Sequence, residues 1–176
     1  MTLGRIWAAT AVAAFLLGAA FGLTSAASAT EAQWQDFRAP DAGFAILMPG
    51  KPELSTEKTA KGIVSILQGV DLGDTYWAVS HSDLQNNLSP DELLNGARDG
   101  AIAASKGVMR SQRKLDEGNI PALDVIYDSP TEKLTVEQRF YINRKQLYQA
   151  VYVGPVNSET APEVVRFFDS FRFIGD

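Results

Sequence analysis

The stretch 134–153, LTVEQRFYINRKQLYQAVYV, limits the fold more than any other part of the chain. It reads as two long strands joined by a tight turn at Arg144-Lys145. With those two residues as the loop, Ile142 faces Leu147, Phe140 faces Gln149, Gln138 faces Val151 and Val136 faces Val153. The opposite face sets Tyr141 against Tyr148, Arg139 against Ala150 and Glu137 against Tyr152. Both faces hold large side chains. A sheet with one wet face alternates cleanly between apolar and polar. This hairpin therefore belongs in the middle of a sheet covered, at least partly, on both sides.

The segments around it supply more strands. Residues 34–38 and 44–48 read as short strands separated by the turn-rich Ala39-Pro40-Asp41-Ala42-Gly43,. Pro49 and Pro52 end the second of them, because neither can donate to a ladder. Residues 53–61 are polar and fit an edge strand or a loop. Residues 62–72 and 75–83 form a hairpin on the two-residue loop Gly73-Asp74, which puts Ile66 opposite His81, Gln68 opposite Val79 and Val70 opposite Trp77,. Residues 108–115 and 120–127 make a further hairpin, turned by Glu117-Gly118-Asn119.

Two helices interrupt the strands. Ser89-Pro90-Asp91-Glu92 carries a cap, a proline at the first helical position and the glutamate of a capping box,. The helix should run to about Lys106 and stop at Gly107, with Leu93, Leu94, Ala97, Ala101 and Ala104 on its inner stripe,. A second helix, capped by Thr160 or Ser158, should bury Val164, Phe167, Phe168 and Phe171, and residues 171–174 finish as an extended piece,. The short strand connections favour antiparallel pairing. The expected fold class is α+β, a central antiparallel β-sheet of roughly six to eight strands flanked by helices.

Residues 1–29 read as a secretory signal. Arg5 supplies the positive start, 6–23 is an uncharged apolar run, and Ala27-Ser28-Ala29 fits the small-residue cleavage rule,. An uncleaved anchor is the competing reading, since about 18 apolar residues lie at the short edge of a bilayer span; the small-residue site favours cleavage after Ala29. Export then places residues 30–176 as a single domain in the periplasm or outside, with no stable membrane span. No cysteine occurs, so disulfides, thiolate metal sites and cysteine nucleophiles drop out together,. Removing Arg5 from the 16 Lys+Arg leaves 15 against 21 Asp+Glu, a net charge of −6. That charge excludes nonspecific nucleic-acid binding as a plausible role.

No catalytic signature stands out. The chain has no phosphate loop, nucleotide-binding glycine pattern, calcium loop or G-x-S-x-G elbow,. His81 is the only histidine and shares a strand face with Asp83; the pair alone builds neither a metal site nor a nucleophile triad. It leaves open a hydrolase using His81 and a carboxylate. Glu137, Arg139, Tyr141, Tyr148 and Tyr152 share one face of the central hairpin. They read either as an ion pair under a covering layer or as a pocket or partner surface lined by tyrosines. Arg110, Arg113 and Lys114 form a small basic patch, read as a solvated edge strand ahead of a surface for an anionic partner or lipid head groups. Catalytic residues, metal ligands and a cofactor are not expected.

The residues also carry a resemblance. Trp34 followed by Gly43-Phe44-Ala45-Ile46-Leu47-Met48-Pro49-Gly50-Lys51-Pro52 resembles the start of PsbP-like domains. The ending is similar too, in Arg139-Phe140-Tyr141, Leu147-Tyr148-Gln149 and Arg166-Phe167-Phe168-Asp169-Ser170-Phe171. The resemblance implies an α/β/α sandwich around an antiparallel sheet, and protein binding or assembly rather than catalysis. It transfers no metal or partner residue, because the matching motifs are fold residues. The resulting expectation is an exported, periplasmic, non-catalytic protein-binding or assembly module with an envelope partner. A small-ligand carrier with a pocket near Glu137, Arg139 and the tyrosines is the alternative.

Overall fold

The computed structural model describes residues 33–58, 63–85 and 88–175. The signal peptide expected at 1–29 lies outside the described residues. In chain order the elements are β1 (Gln35–Ala39), β2 (Phe44–Met48), β3 (Glu53–Lys58), β4 (Val64–Asp71), β5 (Tyr76–Asp83), α1 (Pro90–Ala104), β6 (Val108–Glu117), β7 (Ile120–Ser129), β8 (Leu134–Asn143), β9 (Gln146–Pro155), α2 (Pro162–Asp169) and β10 (Arg172–Phe173). The main sheet has seven strands in the order β3-β4-β5-β9-β8-β7-β6, and a small sheet has the order β1-β2-β10. Every pairing is antiparallel.

The central hairpin has the register read from its sequence, from Asn143 opposite Gln146 to Val136 opposite Val153. Arg144 and Lys145 both have positive φ, 49° and 62°. That is the conformation a two-residue turn needs to match the twist of its strands. The Gly73-Asp74 hairpin also has its expected register, with Val70 opposite Trp77 and Ile66 opposite His81. Gly73 supplies a φ of 92° at that turn. The β6–β7 turn is tighter than expected, since Glu117 already pairs with Ile120.

The cover differs on the two faces. On one, Leu94, Ala97 and Ala101 of α1 pack with Leu123, Val125, Phe140 and Val151. The alanines let α1 lie close to the sheet. On the other, Val164, Phe167 and Phe168 of α2 join Phe44, Ile46 and Met48 of β2 over Trp77, Tyr148 and Tyr152. The antiparallel α+β expectation is met. The helix-flanked sandwich holds only roughly: α1 covers one face, while α2 shares the other with the small sheet.

Three local expectations are corrected. Helix α1 ends at Ala104, and Lys106, not Gly107, takes the left-handed position with φ 50°. The Gly107 N–H then donates to the Ile102 carbonyl and the Lys106 N–H to Ala103, the paired bonds of a Schellman close,. Gly107 is needed for closeness instead: a Cβ there would meet Tyr127 Cδ2 at 2.8 Å and Ser105 Oγ at 2.9 Å. Helix α2 has Ala161 at its N-cap, with no side-chain cap from Thr160 or Ser158. The Ser158 hydroxyl instead bonds the Pro155 carbonyl at 2.6 Å. Phe171 lies beyond α2 and is only partly buried, packed against the sheet through Tyr141.

Candidate functional site

Strands β8 and β9 bring the five hairpin residues to one sheet face, as alternation requires,. The face then divides into a charged end and an aromatic end.

At the charged end, β7 sets Asp124 opposite Arg139. Arg139 Nε lies 3.7 Å from Asp124 Oδ1, and Arg139 reaches Glu137 Oε1 at 3.8 Å and Asp169 of α2 at 3.3 Å. The guanidinium also sits 4.9 Å from the centroid of the Phe168 ring. Arg113, on β6, reaches the other oxygen of Asp124 at 3.1 Å. Arg139 Nε and Asp124 Oδ1 have no hydrogen-bond partner and face each other as an ion pair too long to be one. Glu137 is only 6% exposed. Burial, then the Asp124 charge, pushes its carboxyl up to about 8, with Arg139 opposing the rise,. At neutral pH Glu137 is therefore mostly protonated. Burial alone pulls the Arg139 guanidinium down, but Asp124, Tyr141, Glu137 and Asp169 together reverse this and hold it above its ordinary value.

At the aromatic end, Tyr141, Tyr148 and Tyr152 are all buried in the core. Tyr141 stacks on Phe171 at 4.4 Å, and Tyr152 packs on Trp77 at 4.6 Å. The Tyr152 hydroxyl meets Ser158 Oγ at 2.8 Å. The Tyr148 hydroxyl reaches the Ala42 carbonyl at 2.9 Å and Gln146 Oε1 at 2.6 Å. Burial raises the pKa of Tyr148 and Tyr152 above the usual phenol value. Tyr148 also borders a cleft of about 250 Å³ lined by Asp41, Arg144 and Gln146 at the end of the central hairpin.

His81 is half-buried between the rings of Phe44 and Tyr148, at centroid distances of 6.0 and 6.2 Å. Burial lowers its pKa and Asp83 partly offsets the fall, so the ring is mainly neutral at pH 7. The Asp83 carboxylate accepts a bond from Gln146 Nε2 at 2.8 Å. His81 thus lies at the rim of the aromatic end, apart from the charged end.

The structure gathers Glu137 with Arg139, and the three tyrosines with His81, but it forms no open pocket from all six. The basic patch on β6 is neutralised: Arg110 pairs with Asp128 and Glu159, Arg113 with Asp124, and Lys114 with Asp91 of α1. The contribution of Asp124 was missed from sequence. Carrying the β7–β8 pairing back from the central hairpin would have set it opposite Arg139. Asp169 had no such signal, because it reaches Arg139 from a different layer. Among the described residues no group of three or more His, Asp or Glu could hold a metal ion. No described helix is long and apolar enough to cross a membrane. Chemically, the charged end fastens α2 to the sheet: Arg139 links Asp124 and Glu137 below to Asp169 and Phe168 above.

No family model matches the chain, and no curated protein matches it in sequence. A solved structure does. The solution structure of cyanobacterial PsbP (CyanoP) from Synechocystis sp. PCC 6803 aligns over 86% of this chain and 98% of its own, with a TM-score of 0.59 and 15% identity. At that identity the likeness speaks to the fold: the chain has a PsbP-like fold.

Proposed function

We infer that this protein is an exported, non-catalytic module that binds a protein partner in the bacterial envelope. The observation that carries this reading is the use made of the reactive side chains. Glu137, Arg139 and the three tyrosines are spent on internal partners beneath α2 and the small sheet. A catalytic carboxyl with a raised pKa needs a substrate path to it; Glu137 is buried in the sheet face. The PsbP-like fold supports a non-enzymatic module at most; binding or assembly is our inference beyond it. The apolar run at 6–23 and the Ala27-Ser28-Ala29 site support export and a mature domain of residues 30–176,. Small-ligand carriage on the tyrosine face has less support, because those rings fill the core.

Crosslinking in intact cells followed by mass spectrometry tests the reading. The expected result is one reproducible envelope protein and a mature N-terminus at Thr30. Turnover of a substrate by the purified domain, with no partner captured, would refute it.

A further inference from the structure

The two edges of the main sheet are finished differently. Edge β6 is blunted. It carries a bulge between Met109 and Ser111, and Arg110, Arg113 and Lys114 fold back into ion pairs. These are the devices that keep a strand edge from pairing with another chain. Edge β3 has an unbroken register, from Glu53 opposite Gly69 to Lys58 opposite Val64. Among the described residues no strand pairs with its outer side.

The sequence along β3 is mixed: Glu53, Glu57 and Lys58 carry charge, whereas Leu54 does not. Leu54 is 70% exposed and Val64, on the same face of the sheet, is 44% exposed. The other face is acidic. Gly69 has no Cβ, and one would collide with the Tyr76 hydroxyl, so the Tyr76 ring lies across Gly69 toward β3. Burial, then the charges of Asp71 and Glu53, raises the Tyr76 pKa, which places both carboxylates near that hydroxyl. A strand added to β3 would meet Leu54, then Thr56 and Lys58, on one face and a phenol near two carboxylates on the other.

We propose that the outer edge of β3 is a docking site for an extended segment of a second protein that alternates apolar and basic side chains. Its backbone continues the ladder, its apolar side chains lie beside Leu54, and its basic ones meet Glu53, Asp71 and the Tyr76 hydroxyl. The acidic net charge of the protein, −5, adds long-range attraction for such a partner,. This proposal rests on the protein-binding reading above and names the surface it uses.

The test uses the purified chain and two acetylated eight-residue probes, one alternating Lys with Val and one alternating Glu with Val. The Lys-Val probe should bind saturably and slow amide exchange in residues 53–58. Both Glu53→Lys and Leu54→Lys, at exposed positions, should weaken binding at least tenfold while leaving the thermal midpoint unchanged. Equal binding of the two probes, no effect of either variant, or slowed exchange at β6 instead would overturn the proposal. A dimer by sedimentation that Leu54→Lys dissolves would make a second copy the occupant and overturn it as well. A photocrosslinking side chain at position 54, and another at position 165, separates this failure from a wider one. Adducts from 165 but not 54 reject the β3 site and leave a binding protein; none from either position rejects both.

Discussion

The rings of Tyr141 and Phe171 lie nearly parallel, 12° apart, with their centroids 4.4 Å from each other. Phe171 also packs edge-on against Phe173 at 5.2 Å, and Phe173 edge-on against Tyr148 at 5.0 Å. This run of rings ties the last strand to the central hairpin. Phe171→Ala should destabilise the domain by about 3 kcal/mol, from lost burial plus the cavity left behind. Phe171→Leu should cost roughly half as much. Urea unfolding followed by tryptophan fluorescence measures both; equal effects of the two variants would count against the stack.

Glu137 predicts a pH dependence. Its folded-state pKa, about 8, lies above its ordinary value of 4.5. Below pH 4.5 folded and unfolded chains both hold the proton. As pH rises from 4.5 to 8 the unfolded chain gives it up and the folded one keeps it, so this group's contribution to stability falls, then levels off above 8. Glu137→Gln keeps the shape and removes the titration. The variant should match the parent near pH 4.5 and exceed it by on the order of 5 kcal/mol at pH 8.5. A difference that stays flat across thermal melts from pH 4.5 to 9 would contradict the buried carboxyl.

Arg139→Met should behave oppositely to Glu137→Gln. It retains the aliphatic stem against Phe168 but strips the charge from between Asp124, Glu137 and Asp169. Removing one member of a buried ionic group costs about 3–5 kcal/mol. The loss should appear first as faster amide exchange in Pro162–Asp169, because Asp169 is the helix-side anchor.

The end of α1 gives a matched pair. Lys106 occupies a left-handed position and Gly107 does not. Lys106→Gly should therefore stabilise the domain by about 1 kcal/mol, whereas Gly107→Ala should destabilise it by about 1–3 kcal/mol by pressing on Tyr127. Thermal midpoints that moved in the reverse directions would place the helix stop at Gly107 after all.

The Ser89 capping box is a smaller effect. Ser89 Oγ accepts from the Glu92 N–H at 3.3 Å, and Glu92 Oε2 accepts from the Ser89 N–H at 2.9 Å. The backbone bond from Ser89 is the main cause that lowers the Glu92 pKa. Ser89→Ala should cost about 1 kcal/mol in chemical denaturation.

What could be read from sequence was whatever depends on near neighbours. A two-residue loop and a side-chain period of two decide a hairpin register, so the pairs around Arg144-Lys145 and Gly73-Asp74 came out correctly. The box at Ser89 uses residues three apart and was equally legible. The rest depends on contacts between distant segments. Nothing near Arg172 says that it pairs with Ala45, so the separate small sheet was not foreseen. For the same reason the tyrosine face could not be assigned to a core or to a pocket before its cover was known. The stop of α1 was misplaced by one residue because Gly107 has a second use, the close approach to Tyr127.

The layer over the tyrosine face is drawn from the two ends of the described chain, β1 and β2 from one and α2 and β10 from the other. That gives the molecule a built-in order of assembly. The hairpins and α1 close short loops and can form early, whereas joining β10 to β2 requires closing most of the described chain, the entropically costly and slow step. A chain in which that closure has not been made would leave Trp77, Tyr141 and Tyr152 wet, the form most exposed to aggregation,.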